Sequence, residues 1–356
     1  MPITIDGTNG ITQAGEFNSD SSFGFKNRLI NGQMTFDQRN AGASITANDG
    51  TYPVDRFRFT MSASSKGTGQ QQTSVVPNGF RNSLKFTSSA ATSLGSTDFY
   101  CLEQYIEGYN LSDLGLGTAN PKTFTISAQV YSSLTGTFGG SVQNADSTRS
   151  YPFTYTISSA NTWTTISVTI TGDTTGTWNT TNGIGMKVCF GLGVGTTYSG
   201  TAGAWAGTWY ASATGATSVV GTNGATFYIT GVQLEVGSTA TSFDYRQYGT
   251  ELQLCQRYLT VIPATSYIPA YITSTTTGYC IYNPPVALRT APTGISTSVS
   301  GNLYNGTSAV SLTNLTFTGG TTASLVMTGT VASGLTLGYG SMLYTSNAIQ
   351  LTGCEL

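Results

Sequence analysis

The chain has 356 residues, enough for one large or two ordinary domains, and carries a net charge of −2 with only 8% charged residues, about a third of the usual share. Its 38% apolar and 11% aromatic content still allows a core, and a polar remainder rich in Thr, Ser, Gly and Asn favours strands and tight turns over helices. The absence of a basic run leaves no electrostatic footprint for nucleic acid, no apolar stretch approaches the roughly 20 residues of a membrane-spanning helix, and Met1 to Asp6 lacks the basic and apolar blocks of a secretory signal.

Residues 1–26 hold few apolar side chains and are expected to run extended unless a partner organises them. In Asp55-Arg56-Phe57-Arg58-Phe59 the phenylalanines take one strand face and the arginines the other. Phe124 to Val130 alternates apolar with polar residues, as a strand with one buried face requires. Ile166, Val168 and Ile170 do the same against Thr165, Ser167 and Thr169. Met186, Val188, Phe190, Leu192 and Val194 form a further row. Its reverse face (Cys189, Gly191, Gly193, Gly195) is nearly bare, which lets a second backbone or an aromatic ring approach closely.

Between Phe227 and Val236 the apolar phase changes from odd positions (Phe227, Ile229) to even ones (Val232, Leu234, Val236). A one-residue bulge near Gly231 would keep both sets on the core side. Thr250-Glu251-Leu252-Gln253 fits a capping box with Thr250 as N-cap, and Leu252, Cys255 and Leu259 recur at helical spacing. One short helix near 250–260 is therefore expected. Pro263 and Pro269 place a boundary near 262. Residues 263–356 then return to strand-and-turn composition, with Phe317, Leu325, Met327, Leu335, Leu337 and Leu343 as core candidates. No fixed-period repeat supports a solenoid or propeller. Cys101, Cys189, Cys255, Cys280 and Cys354 have no close pair and match neither a disulfide framework nor a zinc site, so they read as small buried residues of a chain made in a reducing compartment.

Several blocks carry a family resemblance. Asn27-Arg28-Leu29-Ile30-Asn31-Gly32-Gln33-Met34, continuing through Phe36-Asp37-Gln38-Arg39, resembles the opening of a family of phage tail-fibre and virion proteins. Tyr52 to Phe57, Leu102 to Glu107 and Phe124 to Ser127 resemble its next blocks in order. The most specific match runs Gly231-Val232-Gln233-Leu234-Glu235-Val236-Gly237, Phe243-Asp244-Tyr245-Arg246, and Tyr248-Gly249 to Cys255-Gln256-Arg257-Tyr258. Phe36 and Phe57 stand where the family pattern has Trp. Asn283 to Pro292 and Ile349 to Leu356 resemble segments that follow this domain in many phage proteins. The resemblance implies an all-β protein: a jelly-roll-like antiparallel β-sandwich at 27–262, similar to carbohydrate-binding modules, and a smaller C-terminal β domain at 263–356.

The resemblance also implies a homotrimer located on the virion, as a tail or capsid appendage made in the bacterial host cytoplasm. Residues 1–26, with Ile3, Ile5 and Ile11 as apolar contacts, would attach it to other virion proteins, threading in or adding a strand.

Histidine is absent, which removes Ser-His-Asp and Cys-His nucleophile systems and the usual near-neutral proton shuttle. A carboxylate pair such as Glu103 with Glu107 could serve a glycosidase. The plainer account has Glu103, Glu235 and Asp244 paired with arginines such as Arg246 or Arg56, or bound to backbone amides at turns. No catalysis is expected. No cofactor is expected either, beyond a structural calcium for which Asp49, Asp55 and Asp173 are available.

A sugar site needs exposed aromatic faces beside hydroxyls and amides. Tyr198, Trp205, Trp209 and Tyr210, among Gly and Ala, are the first candidates. Trp178 with Asn179 and Asn182 forms a second candidate loop. The plainer account of these tryptophans is that they cap the sandwich or pack against a neighbouring subunit. Two functions remain open: a receptor-binding fibre or spike contacting host glycans, and a purely structural virion protein such as a capsid decoration, head fibre or tail adaptor.

Overall fold

A computed structural model describes residues 4–6, 10–13, 26–296, 300–306 and 308–356. The chain divides into two compact units, Met1–Arg246 and Gln247–Leu356. Near the N-terminus, β1 (Thr4–Asp6) and β2 (Gly10–Gln13) pair antiparallel with Ile5 opposite Ile11, so these two segments are paired strands rather than an unpaired extended tether. Ile3 lies outside the described residues.

The remaining strands of the first unit are β3 (Ile45–Thr46), β4 (Phe57–Met61), β5 (Gly67–Gln72), β6 (Ser83–Ser88), β7 (Phe99–Glu107), β8 (Phe124–Ser132) and β9 (Gly136–Gln143). They continue with β10 (Ser150–Ile157), β11 (Thr164–Ile170), β12 (Ile184–Val194), β13 (Ser199–Gly200), β14 (Ser212–Ala213) and β15 (Thr226–Val236). Two antiparallel sheets result, one ordered β10-β9-β12-β7-β4 and the other β11-β8-β15-β6-β5-β3, with β13 and β14 a small parallel pair. The chain crosses repeatedly between the two sheets, as jelly-roll wiring requires. The fold is the expected all-β sandwich.

Its main core cluster draws Phe57 and Phe59 from β4, Ile126 and Val130 from β8, Val188 and Phe190 from β12, and Phe227 and Leu234 from β15. Phe36 and Phe57, at the Trp positions of the resembling family, are both buried. The bare face of β12 is approached as expected. A Cβ at Gly191 would stand 2.9 Å from Ser212 Oγ and 3.1 Å from the Gly139 carbonyl, and one at Gly193 would stand 2.5 Å from Val220.

The predicted bulge is present. Thr230 pairs with Gln129 and Gln233 with Ser127, so two residues of β15 oppose one of β8, and Gly231 has φ +60°. Phe227, Ile229, Val232 and Leu234 all reach the core. The bulge also changes β15's other neighbour. Thr226–Ile229 pair with β6, whereas beyond the bulge the edge is taken by the segment following Lys26: Val232 N–H donates to the Gly32 carbonyl at 2.9 Å and Arg28 N–H to the Leu234 carbonyl at 2.9 Å.

The second unit opens with α1 (Tyr248–Gln256), whose N-cap is Gln247 with no side-chain cap bond. The helix thus starts before Thr250, because the extended backbone at Gln247 turns directly into it and Glu251 N–H already donates to the Gln247 carbonyl. Its buried face is Glu251, Cys255, Tyr258 and Leu259, with Leu252 only half-buried. The unit boundary therefore falls at Arg246/Gln247 rather than near 262, since the chain after the helix is bonded into the second unit: Leu351 N–H donates to the Thr260 carbonyl and Arg289 N–H to that of Arg257.

The strands that follow are β16 (Val261–Ile262), β17 (Tyr267–Ile272), β18 (Thr277–Tyr282), β19 (Gly294–Ser296), β20 (Gly301–Asn305), β21 (Ser308–Gly320), β22 (Leu325–Val331), β23 (Gly340–Thr345) and β24 (Ile349–Thr352). Six of them close a barrel ordered β17-β18-β22-β21-β20-β23, and β16-β24-β19 form a small sheet. Ile268, Ile272, Cys280, Leu303, Leu325, Met327 and Leu343 belong to this unit's core cluster. Leu337 is not a core residue. It is 65% exposed in the loop before β23, beyond the alternating strand pattern that would turn it inward.

Candidate functional site

The residues of the resembling blocks meet as a scaffold. Asn27 Oδ1 accepts from Leu29 N–H at 3.0 Å and Leu234 N–H at 3.1 Å, while its Nδ2 donates to the Val232 carbonyl. Gln104 holds Ile30 at both ends, accepting its N–H at 2.7 Å and donating to its carbonyl at 2.8 Å. Arg246 donates to the carbonyls of Leu29 and Asn27. Asn31, with φ +60°, donates to the carbonyls of Phe36 and Asp55. In the second unit, Arg289 binds the carbonyls of Cys354 and Glu355, which joins the two C-terminal blocks.

The acidic residues are engaged in the same framework. Glu235 accepts from Thr241 N–H and Oγ1 at 2.8 and 2.7 Å, Asp244 accepts from Asn27 N–H and lies 3.7 Å from Arg246 Nε, and Glu103 accepts from Thr60 Oγ1 at 2.7 Å. The calcium candidates are held separately. Asp173 makes two 2.7 Å bonds to Arg149, Asp55 accepts from Gln38 N and Nε2, and Asp49 accepts from Met61 N–H.

Among the described residues, one group brings three metal-type donors within 4.8 Å of one another: Cys101, Glu103 and Cys189. It is fully buried, and burial pushes the Cys189 thiol well up. The Cys101 thiol is also raised: its bond with Cys189 pulls it down, but burial and the Glu103 charge together outweigh that. Protonated, Cys189 donates to the Ala211 carbonyl at 3.2 Å.

The aromatic candidates fall into two separate clusters. Tyr198, Trp209 and Phe99 form one, with ring centroids 4.2 Å (Tyr198–Trp209), 5.0 Å (Phe99–Trp209) and 5.6 Å (Phe99–Tyr198) apart. Trp205, Trp178 and Tyr151 form the other, at 5.5 Å (Trp178–Trp205) and 5.3 Å (Tyr151–Trp205). The loop holding Trp205 and Trp209 folds back on β10 through reciprocal Ser150–Ala206 backbone bonds. Tyr210 lies against Gly200, where a Cβ would collide with its ring. All five candidate side chains are half-buried. Two of the indole N–H groups are occupied, that of Trp205 with the Thr171 carbonyl at 2.8 Å and that of Trp178 with the Thr175 carbonyl at 3.2 Å. Asn179 is spent on its own turn, accepting from Thr181 N–H and Oγ1.

A different aromatic surface was missed from sequence. On the outside of the barrel, Tyr267, Tyr271, Tyr279, Ile281 and Met342 are 44–57% exposed. The available signal was that β17 carries large residues in both phases, Tyr267 and Tyr271 alternating with the buried Ile268 and Ile272, while in β18 the large Tyr279 and Ile281 alternate with the small Gly278 and Cys280. Such a strand leaves one large-residue face outside.

No family model matches the chain, and no curated protein matches it. Solved structures do resemble its fold. The enzymatically active domain of bacteriophage CBA120 tailspike protein 4 matches 60% of this chain and 22% of its own, at 10% identity and TM-score 0.34. TmCBM61, solved with β-1,4-galactotriose, matches 60% of this chain and 100% of its own, at 10% identity and TM-score 0.31. The family 11 carbohydrate-binding module of Clostridium thermocellum Lic26A-Cel5E matches 56% and 99%, at 12% identity and TM-score 0.28. Likeness of this degree says nothing of ligand. Among the described residues no helix is long and apolar enough to cross a membrane.

Proposed function

We propose that this chain is a subunit of a bacteriophage virion fibre or spike, assembled as a homotrimer, that binds host-surface glycans and performs no catalysis. The observation that carries this reading is the pairing of the family-like blocks. Asn27–Ile30 meets Val232–Leu234, Gln104 and Arg246, and Arg289 meets Cys354 and Glu355, so the resemblance falls on residues that hold each other across the fold. Long-range joints among the matched residues support this reading better than matching composition would. The five free cysteines, all buried, suit a chain made in a reducing cytoplasm and displayed outside cells. The acidic residues of the blocks serve the scaffold, which leaves ligand contact to aromatic and small polar side chains.

The test is direct. The purified chain should bind host cells and block infection, and failure at saturating concentration would refute receptor binding. Removing residues 1–26 should leave a soluble trimer that no longer joins the particle; retained incorporation would refute the attachment role. A second reading, a structural virion protein without a receptor, is favoured by the occupied indole N–H groups and half-buried rings of Trp178 and Trp205. A Trp205→Ala/Trp209→Ala variant that unfolds would mark these rings as packing elements. One that stays folded but loses glycan would mark them as the site.

A further inference from the structure

We propose that the C-terminal barrel carries a binding site for a neutral oligosaccharide, in the cleft where β17 and β18 part and along the tyrosine face beside it. The inference deepens the glycan reading above and rests on it. β17 and β18 pair only at Ala270–Ile272. Beyond that point Tyr267–Pro269 pair on the far side with β23, and Ile281 and Tyr282 with β22. Pro269 has no N–H to offer a neighbour across the gap. The parting leaves a cleft of roughly 350 Å³ whose lining includes Ser266, Tyr267, Pro269, Ile281, Tyr282 and Asn283, a size at the lower end of the range of about 300–1,000 Å³ for small-ligand sites.

The lining suits a sugar. A pyranose presents an apolar C–H face and a rim of hydroxyls, and the cleft offers aromatic and apolar walls beside a hydroxyl and an amide. The aromatic surface continues outside it: Tyr271 stands opposite Tyr279 in register, and the Tyr267 ring lies 5.1 Å from Tyr344 and 6.2 Å from Tyr304. Tyrosine supplies large, rigid, amphipathic contact area at little entropic cost. From Tyr267 to Tyr271 the strand spans about 13 Å, longer than a single ring.

Charge selects the ligand class. Between Pro263 and Cys354 the only charged side chain is Arg289, and it is bound to the carbonyls of Cys354 and Glu355. A uronate, sialate or phosphate-bearing glycan would find no counter-charge on this wall, whereas a neutral one needs none.

The experiment titrates the 356-residue chain calorimetrically with short gluco-, galacto- and manno-oligosaccharides, with uronate and sialyl oligosaccharides, and with host-surface polysaccharide. Binding is expected for a neutral sugar, unchanged between low and high salt. Tyr267→Ala and Asn283→Ala should each weaken it about tenfold, while Tyr109→Ala, an exposed aromatic on the sandwich, should not. Tyr267 is 57% exposed and Asn283 is exposed, so both variants should keep the parent melting temperature. Sugar binding that ignores both variants would place the site elsewhere and overturn this inference while leaving the glycan reading intact. Binding confined to anionic sugars would overturn it in the same way. No binding to any sugar would overturn both. A Tyr267→Ala chain that binds sugar normally but loses its oligomeric state would make the face a contact between copies and also overturn the inference.

Discussion

The bulge in β15 yields the sharpest test of the fold. Gly231 has φ +60°, and a Cβ there would stand 2.7 Å from Phe80 Cζ and 3.0 Å from Cε1. Gly231→Ala thus meets two costs. Holding Ala in the left-handed region costs roughly 1–2 kcal/mol. Displacing Phe80 disturbs its ring contacts with Phe243 and Tyr245, at 5.3 and 5.6 Å, and aromatic pairs of this kind are worth about 0.5–1.5 kcal/mol each. The sum is about 2–5 kcal/mol. Gly224 separates the contributions, because it has φ +75° but, among the described residues, no atom within 4 Å of an added Cβ; Gly224→Ala should cost only the backbone part, about 1–2 kcal/mol. All four tryptophans (Trp163, Trp178, Trp205, Trp209) lie in the sandwich, so urea unfolding followed by tryptophan fluorescence reads that unit alone. Equal losses for the two variants, or no loss at Gly231, would refute the account of the bulge.

Other outcomes follow from particular side chains. Among the described residues the buried Tyr155 hydroxyl has no hydrogen-bond partner, and its acidity is suppressed by burial, so Tyr155→Phe should stabilise the sandwich by about 1 kcal/mol in the same urea assay; a loss of that size would mean the hydroxyl is bonded. Burial works to raise the Asp173 carboxyl, but the Arg149 bonds and the Thr175 amide overcome it and hold the carboxyl below its ordinary 3.8. Since the folded value is the lower one, the stabilisation is complete above the unfolded value near about 4 and is lost as pH falls through the folded value. Parent and Asp173→Asn should therefore differ in melting temperature at neutral pH and converge as pH drops below about 4; a gap independent of pH would contradict this. The five thiols are all buried, with Cys280 pushed up to about 12 and Cys354 to about 11. A thiol reagent at pH 8 should leave the native chain unmodified and titrate five cysteines in denaturant, and rapid native labelling would refute the burial of these thiols in the folded chain.

Much of the sandwich was legible because its cues are local. The phase change at Gly231 can be read from ten consecutive residues, and the bare glycine face of β12 announces close approach without saying by what. The helix start was misplaced because Thr250 satisfies a capping pattern that the backbone at Gln247 makes unnecessary. The partnership of Asn27 with Val232 and Leu234 spans more than two hundred positions and has no periodic signature, so only the fold could disclose it. The tryptophan clusters drew notice through composition, yet whether a ring is free or its N–H is already bonded depends on carbonyls such as that of Thr171, far away in sequence. The barrel tyrosines escaped because an outward Tyr and an inward Ile look equally apolar until the closure of the sheet decides which side is dry.

The handover of the β15 edge to the segment after Lys26 also sets a timetable. Asn27 leaves the ribosome well before its acceptor at Val232, which lies 205 residues downstream, a wait of about 10–40 s at typical elongation rates. Until then the sandwich has an unclosed seam beside apolar strands, and contacts of such long sequence separation form slowly even afterwards. Nascent chains of this protein should therefore lean on chaperones during synthesis, and the seam between its first and last sandwich segments should be the step that ends their dependence.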